Sequence, residues 1–250
     1  MVKITVLRLE QTAACFWLAV AKLGSQHDCL SIIVCKANLK SFTKEVALKI
    51  AFVAYEDMTG LDLVGFLDPV VRLRTMGFMA DLEYDICTVR SAQVVDDHGL
   101  TVVADKVDQP LVGYDMVFVP GTYYIDKIRK DQQLLDLIST AKDTPLKVSV
   151  CTGGVLFGEV GFLRGIRATT HPNALRSLEP MCAKVVRERV VDEGSVVTAA
   201  GVTASIDVGL HLVRKLAGPE VHDKIAVQMD YRTPFIAFKA GEKRFDSLLE

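Results

Sequence analysis

The sequence predicts an α/β protein built on a doubly wound parallel sheet, and three observations carry that reading. From about Leu48 onward, short apolar runs alternate with stretches of helical periodicity. The runs are continuously apolar, as strands covered by helices on both faces must be. One run ends at Cys151 with glycines close behind, the residue order of a sharp strand-to-helix turn.

The elements follow in order along the chain. "KIAFVAY" (Lys49–Tyr55) reads as a buried strand, and "DLVGFLDPVVRLRTM" (Asp62–Met76) as a helix that Pro69 is placed to kink. "YDICTVR" (Tyr84–Arg90) reads as a strand, and "YDMVFVPG" (Tyr114–Gly121) as an apolar strand stopped by Pro-Gly. "IDKIRKDQQLLDLISTAKD" (Ile125–Asp143) predicts one amphipathic helix with Ile128, Leu135 and Ile138 on a shared face. "LKVSV" (Leu146–Val150) is a strand, "GVLFGEVGFL" (Gly154–Leu163) a short apolar helix and "SVVTAA" (Ser195–Ala200) another strand. In "TASIDVGLHLVRKLAG" (Thr203–Gly218), Ile206, Leu210, Val213 and Ala217 fall at helical spacing. Gly218 suits its C-terminal cap, and Pro219 opens a further helix carrying Val221, Ile225 and Met229.

Composition bounds what such a protein does. Of 250 residues, 50% are hydrophobic and 24% charged, which fits a globular domain with a core that needs no disulfide or metal staple. A net charge of −2 gives no electrostatic case for nucleic acid or an anionic membrane as a partner. No run approaches the ~18 apolar residues of a membrane-spanning helix. The six cysteines, at 15, 29, 35, 87, 151 and 182, form no C-x-x-C pair, so zinc and thioredoxin-like chemistry lack support. Their scatter points to reduced thiols in a cytoplasmic protein. Residues 1–47 are expected to form an extension of unassigned role, and residues 48–250 the main domain. The first 48 residues carry a net +3, leaving −5 for the rest. "AACFWLAVA" (Ala13–Ala21) has the look of a short signal-peptide core, but Glu10 precedes it and the run is brief. An amphipathic helix or strand is the expectation there.

Chemistry centres on Cys151. Ligands of doubly wound sheets bind beyond the carboxyl ends of the strands, which is where this cysteine falls. Gly153 and Gly154 offer backbone angles that a side chain forbids. The helix that follows is expected to aim its N-terminal N–H groups at the sulfur, lowering the thiol pKa. Free cysteine is equally a common core residue, and the turn alone leaves nucleophile and buried thiol both open. Cys87 lies inside an apolar strand and Cys182 looks like packing; His27, His98, His211 and His222 carry no supporting context.

Taken together, "YDMVFVPG", "VSVCTGGVLFGEVGFLRGIRATTH" (Val148–His171) and "ERVVDEGSVVTAAGVTASIDVGLHLV" (Glu188–Val213) resemble the DJ-1/PfpI superfamily, with "LDLVG" (Leu61–Gly65) and "VQMDYRTPF" (Val227–Phe235) pointing to its isonitrile hydratase-like branch. The resemblance spans about Leu48 to Phe235. It implies a flavodoxin-like three-layer α/β sandwich with a nucleophile elbow. It implies Cys151 as the elbow nucleophile, Asp62 as the acid that hydrogen-bonds the thiol and moves a proton, and Thr152 as a backbone donor of the anion-binding pocket. Gly121, Thr122, Gly153 and His171 are the expected oxyanion- or substrate-binding residues, the resemblance putting Gly121 and Thr122 at a turn whose N–H faces that pocket and His171 near it without a dyad partner. Read without the resemblance, Thr59–Asp62 also fits a T-x-x-D capping box, Thr152 a helix cap and His171 a turn residue before proline.

The position after the cysteine sorts the branches. Peptidase- and glyoxalase-like members carry histidine there, whereas this chain has Thr152. Regulators of the superfamily fuse a helix-turn-helix domain after the sheet, and too few residues follow here for one. Thr122, Phe66 and Pro172 depart from the branch pattern, and all three are expected to line or support the pocket. The expected activity is hydration of an isonitrile to an N-substituted formamide through a Cys151 thioimidate, with no metal or cofactor, a small-molecule substrate and a homodimeric assembly. The alternatives are a redox-responsive protein with an oxidisable elbow cysteine, a glyoxalase- or deglycase-like activity, and a catalytically idle dimer.

Overall fold

The computed structural model of the chain describes residues 4–9, 16–21 and 47–231. The chain divides into two units between Val46 and Ala47. In the first unit, β1 (Ile4–Leu9) pairs antiparallel with β2 (Phe16–Ala21), Ile4 opposite Ala21 and Leu9 opposite Phe16. The cysteines at 15, 29 and 35, His27 and the end of "VQMDYRTPF" lie outside the described residues.

The second unit opens with β3 (Lys49–Val53), α1 (Gly60–Thr75) and β4 (Glu83–Thr88). A small antiparallel hairpin follows, β5 (Gln93–Val95) and β6 (Thr101–Val103), and then the short edge strand β7 (Lys106–Val107). Next come β8 (Met116–Val119), α2 (Ile125–Ile128), α3 (Gln132–Ser139), β9 (Leu146–Val150) and α4 (Gly153–Glu159). The chain continues with β10 (Arg167–Ala168), α5 (Leu175–Leu178), β11 (Lys184–Val185), β12 (Val190–Asp192) and β13 (Val196–Ala199). It finishes with α6 (Ala204–Ala217) and α7 (Pro219–Gln228).

Seven strands form the main sheet in the order β12-β13-β9-β8-β3-β4-β7, parallel throughout except for β12. Every residue of β8, β9 and β13 is buried. Successive strand residues face opposite ways, so both faces of the sheet are covered, as the apolar runs require. Helices α1, α6 and α7 pack on one another, and α4 contacts α3 and α5. Among the described residues no helix is long and apolar enough to cross a membrane.

One local reading changes. The stretch Ile125–Asp143 is not one helix: α2 ends at Ile128 and α3 restarts at Gln132, with a 3-10 turn from Thr140. Asp131 makes the break by capping α3 through the Leu134 N–H while its carboxylate pairs with Arg90. The buried face is therefore Ile128, Leu134, Leu137 and Ile138, and Leu135 is only partly covered. Helix α1 is continuous through Pro69, whose ring packs where a Cβ on Gly209 of α6 would lie 2.4 Å away. The expected Gly218 cap and Pro219 start are present, Gly218 with φ +88°.

Phe66 belongs to the core and not to the pocket. It is fully buried, stacked on Phe118 at 4.1 Å and tilted against Phe52. This contact joins α1 to the two central strands β3 and β8. Phe66→Ala is expected to lower the unfolding free energy by about 3–5 kcal/mol, read as a reduced midpoint in urea denaturation.

Candidate active site

The site begins with the backbone of Cys151. Its φ is +57°, in the left-handed region that non-glycine residues rarely occupy. Four contacts hold it there. Its N–H lies 2.8 Å from the Ala200 carbonyl and 3.1 Å from that of Ala199. Its carbonyl accepts from the Thr170 hydroxyl at 2.6 Å and the Gly154 N–H at 3.3 Å. The strained angle thus belongs to the cysteine, and the glycines serve a different end from the one the sequence suggested. A Cβ on Gly153 would sit 2.5 Å from the Val119 carbonyl, and one on Gly154 3.0 Å from that of Thr169. They permit close approach between backbones.

Gly121 meets the elbow from the neighbouring strand. A Cβ there would lie 2.6 Å from the Thr152 nitrogen and 2.7 Å from the Cys151 Cβ. The Gly121 N–H donates to Asp62 Oδ2 at 2.9 Å. Thr122 donates its N–H to the Thr152 hydroxyl at 2.7 Å, and that hydroxyl donates back to the Thr122 carbonyl at 2.8 Å. Both N–H groups of the turn are therefore engaged by the protein, which corrects the expectation that Thr122 offers one to the pocket. Nor does Thr152 cap α4 with its side chain; it clamps the two loops together. Its own N–H is the backbone donor that reaches the Cys151 sulfur.

The T-x-x-D capping box does not form either. The Thr59 hydroxyl donates to Asp97 Oδ2 at 2.9 Å and makes no cap bond, and Asp62 turns its carboxyl inward. Asp62 is fully buried, with Oδ1 lacking a regular hydrogen-bond partner. Burial raises its pKa from 3.8 to about 7, opposed by the Gly121 N–H and the Cys151 thiol and assisted by the Asp97 charge. Burial and then the Asp62 carboxyl push the Cys151 thiol up to about 12, against the Thr152 N–H and hydroxyl. The expected thiolate enrichment is thus reversed. The seven-residue α4 offers few donors, and desolvation outweighs them. The resting pair keeps a proton on sulfur, and Asp62 titrates near neutrality. The Tyr55 hydroxyl, bonded to the Pro120 carbonyl at 2.7 Å, is also raised by burial and by these two neighbours.

A cavity of about 150 Å³ opens over the sulfur. Cys151 and Thr152 form one wall, Thr59 and Thr122 a second, His171 and Asn173 a third. Tyr123, Ile125, Ala174 and Val202 make the remainder apolar, and no Lys, Arg, Asp or Glu lines it. His171 is where the resemblance put it. Its Nδ1 accepts from the Asn173 N–H at 3.3 Å, which assigns the proton of the neutral ring to Nε2. No carboxylate hydrogen-bonds it among the described residues. Asp62 does not line the cavity; it touches the thiol from behind. Pro172 starts a 3-10 turn outside the lining, so of the three departures only Thr122 faces the cavity. Its hydroxyl is held by the Asp57 carbonyl and the Tyr124 N–H.

Thr59, Asn173, Val202 and Asp97 were not singled out as site residues by sequence. Thr59 sat inside a pattern that reads as a cap, and the others carry no motif. Among the described residues, Asp96, Asp97 and His98 are the one cluster with metal-like spacing, and its oxygens hydrogen-bond Thr59, His98 and the hairpin backbone.

A family model described as the DJ-1/PfpI family matches residues 48–215. The chain is 31% identical over 197 residues to isonitrile hydratase of Pseudomonas putida, covering 78% of this chain and 83% of that protein. It is 27% identical to protein DJ-1 homolog A of Arabidopsis thaliana over 75% of this chain and 47% of that one, about half its length. Among solved structures, a THiJ/PfpI family protein from Pseudomonas syringae matches with a TM-score of 0.66 at 27% identity, covering 78% of this chain and 79% of that one.

The raised Asp62 pKa fixes a sign. The native state holds this proton up to about 7 and the unfolded chain releases it near 3.8, so the group's contribution to stability is full at acid pH and declines as pH rises through that window. Asp62→Asn removes the decline. In urea denaturation, the variant-minus-wild-type difference in unfolding free energy is expected to shift in the variant's favour between pH 4.5 and 7.5, by at most about 3 kcal/mol.

Proposed function

The chain belongs to the DJ-1/PfpI family, and from that premise we propose that it is an elbow-cysteine enzyme hydrating an isonitrile to an N-substituted formamide. The observation that carries the reading is the buried Cys151–Asp62 couple in front of a small cavity without a charged side chain. An isonitrile is compact, uncharged and reactive at one terminal carbon, which suits such a cavity. Hydration needs an S–H bond added across that carbon, so a nucleophile and its proton are required at the same place.

The steps balance on these residues. The Asp62 carboxylate takes the thiol proton as sulfur bonds to the terminal carbon, and the new carboxyl returns the proton to that carbon. The product is a thioimidate, Cys151–S–CH=N–R. Water then adds across the C=N bond of the thioimidate, its oxygen bonding to the same carbon and one of its protons passing to nitrogen. Collapse breaks the C–S bond, restores the thiol and releases HC(=O)–NH–R. A carboxyl near 7 supplies both its forms at neutral pH, as alternate base and acid require. Charge that develops on the sulfur is stabilised by the Thr152 N–H, and no donation from Thr122 is invoked. His171, which lines the cavity, is the residue we assign as donor to the substrate nitrogen. A homodimer is the assembly we assign with this reading.

An alkyl isonitrile incubated with the full chain is expected to yield the formamide, followed by proton NMR. Cys151→Ala is expected to abolish turnover, and Asp62→Asn to slow it by about a hundredfold or more. No formamide from the wild type would overturn the hydratase reading. A peroxide-induced gain of about 32 Da that vanishes in Cys151→Ala would then favour the redox reading.

A further inference from the structure

We infer that Asp97 is a positioning residue for the Asp62–Cys151 couple: it holds Thr59 in place and sets a second negative charge behind the Asp62 carboxyl. This deepens the reading above and rests on its assignment of Asp62 and Cys151 as the working pair. Nothing in the sequence marks Asp97. It lies at the tip of the β5–β6 hairpin, which is outside the main sheet.

The hairpin is docked on the loop that leads into α1. The Asp97 N–H donates to the Met58 carbonyl at 2.9 Å, and the Asp57 N–H to the Val95 carbonyl at 3.0 Å. The Val95 N–H donates to the Glu56 carboxylate at 3.0 Å. The Asp96 carboxylate lies where a Cβ on Gly60 would come within 2.0 Å, so any larger residue at the first position of α1 would displace it. The Asp97 side chain is 3% exposed. One of its oxygens accepts from the Thr59 hydroxyl at 2.9 Å, and the other meets His98 Nδ1 at 2.5 Å.

Thr59 is the link to the site. Its side chain lines the cavity, its N–H donates to the Gly121 carbonyl at 2.8 Å, and its carbonyl accepts from the Asp62 N–H at 3.0 Å. Gly121 in turn donates to Asp62. Moving Thr59 therefore moves both the carboxyl and the turn that fixes it. Asp97 acts by charge as well. The ionisable groups facing Asp62 are Tyr55, Cys151 and Asp97, and those around Asp97 are Tyr55, Asp96, His98 and Asp62. A carboxylate behind Asp62 opposes its ionisation and keeps the shared proton in the couple to higher pH.

The test reads Cys151 alkylation by iodoacetamide on the full chain from pH 5 to 10, with the adduct located by peptide mapping. The wild-type rate is expected to rise through a midpoint near Asp62's value of about 7. Asp97→Asn is expected to move that midpoint down by about half a pH unit or more, while Asp97→Glu leaves it near the wild-type position. Thr59→Val keeps the charge and loses the hydrogen bond, so it is expected to hold the midpoint and lower the plateau rate at least about threefold. An Asp97→Asn profile that superimposes on the wild type, or shifts up, overturns the inference. Should Asp97→Asn fail to fold, an unchanged plateau in Thr59→Val overturns it instead. No isonitrile enters this measurement. A chain that yields no formamide yet shows the shift loses the hydratase reading and keeps this one.

Discussion

Everything at the site depends on how closely the Gly121 turn lies against the Cys151 elbow. Strands β8 and β9 are parallel neighbours, and the loops that leave them meet at Gly121 with no room for a Cβ on that residue. At that separation the turn can only bond to what faces it. Its N–H groups go to Asp62 and Thr152, and the Thr152 hydroxyl closes the ring by donating back. The left-handed cysteine is the second half of the same constraint. A strained backbone angle persists when its surroundings over-determine it, and here both the N–H and the carbonyl of Cys151 are held by elements that come from elsewhere in the chain.

Close approach also makes the place dry, and dryness decides the ionisation. A carboxyl and a thiol are buried together beside a buried phenol, so the first negative charge is resisted and a second more so. The couple keeps a proton near neutrality that either group can give up. Addition of S–H across a carbon uses such a proton twice. Oxidation by peroxide needs something else, an accessible sulfur already in its thiolate form. A thiol that is 4% exposed and held up at about 12 is poorly suited to that until Asp62 has taken its proton.

The sequence disclosed those features that leave a local trace. Strands buried on both faces are largely apolar, so β3, β8, β9 and β13 were legible although β9 also buries Lys147 and Ser149 and β13 buries Thr198. So was the elbow, because Cys151, Gly153 and Gly154 must be adjacent to make it, although the reason for the glycines was misread. Features set by distant partners were not legible. Thr59 and Asp62 look like a capping box locally, and only Gly121 and Asp97 draw them away from it. Asp131 breaks a helix that periodicity alone continues, because its cap bond and Arg90 outweigh one more turn. Phe66 departs from its branch in the core, against Phe118, and so has no bearing on the cavity wall. The thiol pKa was misjudged because helix donors are visible in sequence and desolvation is not.

The strand order explains which parts of the site are free to vary. The sheet sets β13, β9, β8 and β3 side by side, so the loops at their carboxyl ends share one edge. Cys151 and Thr152 follow β9, Gly121 and Thr122 follow β8, Thr59 follows β3 and Val202 follows β13. The two central loops lie too close for a Cβ on Gly121 or Gly153 and are clamped by the Thr152 hydroxyl, which ties the chemistry to the fold itself. The outer walls are made by side chains of Tyr123, Ile125, His171, Asn173, Ala174 and Val202, none of which takes part in that clamp. A change among these reshapes what reaches the sulfur without disturbing how the sulfur is presented. Thr122 and Thr152 both line the pocket and belong to the clamp, so a change at either would carry from the pocket wall into how the sulfur is presented.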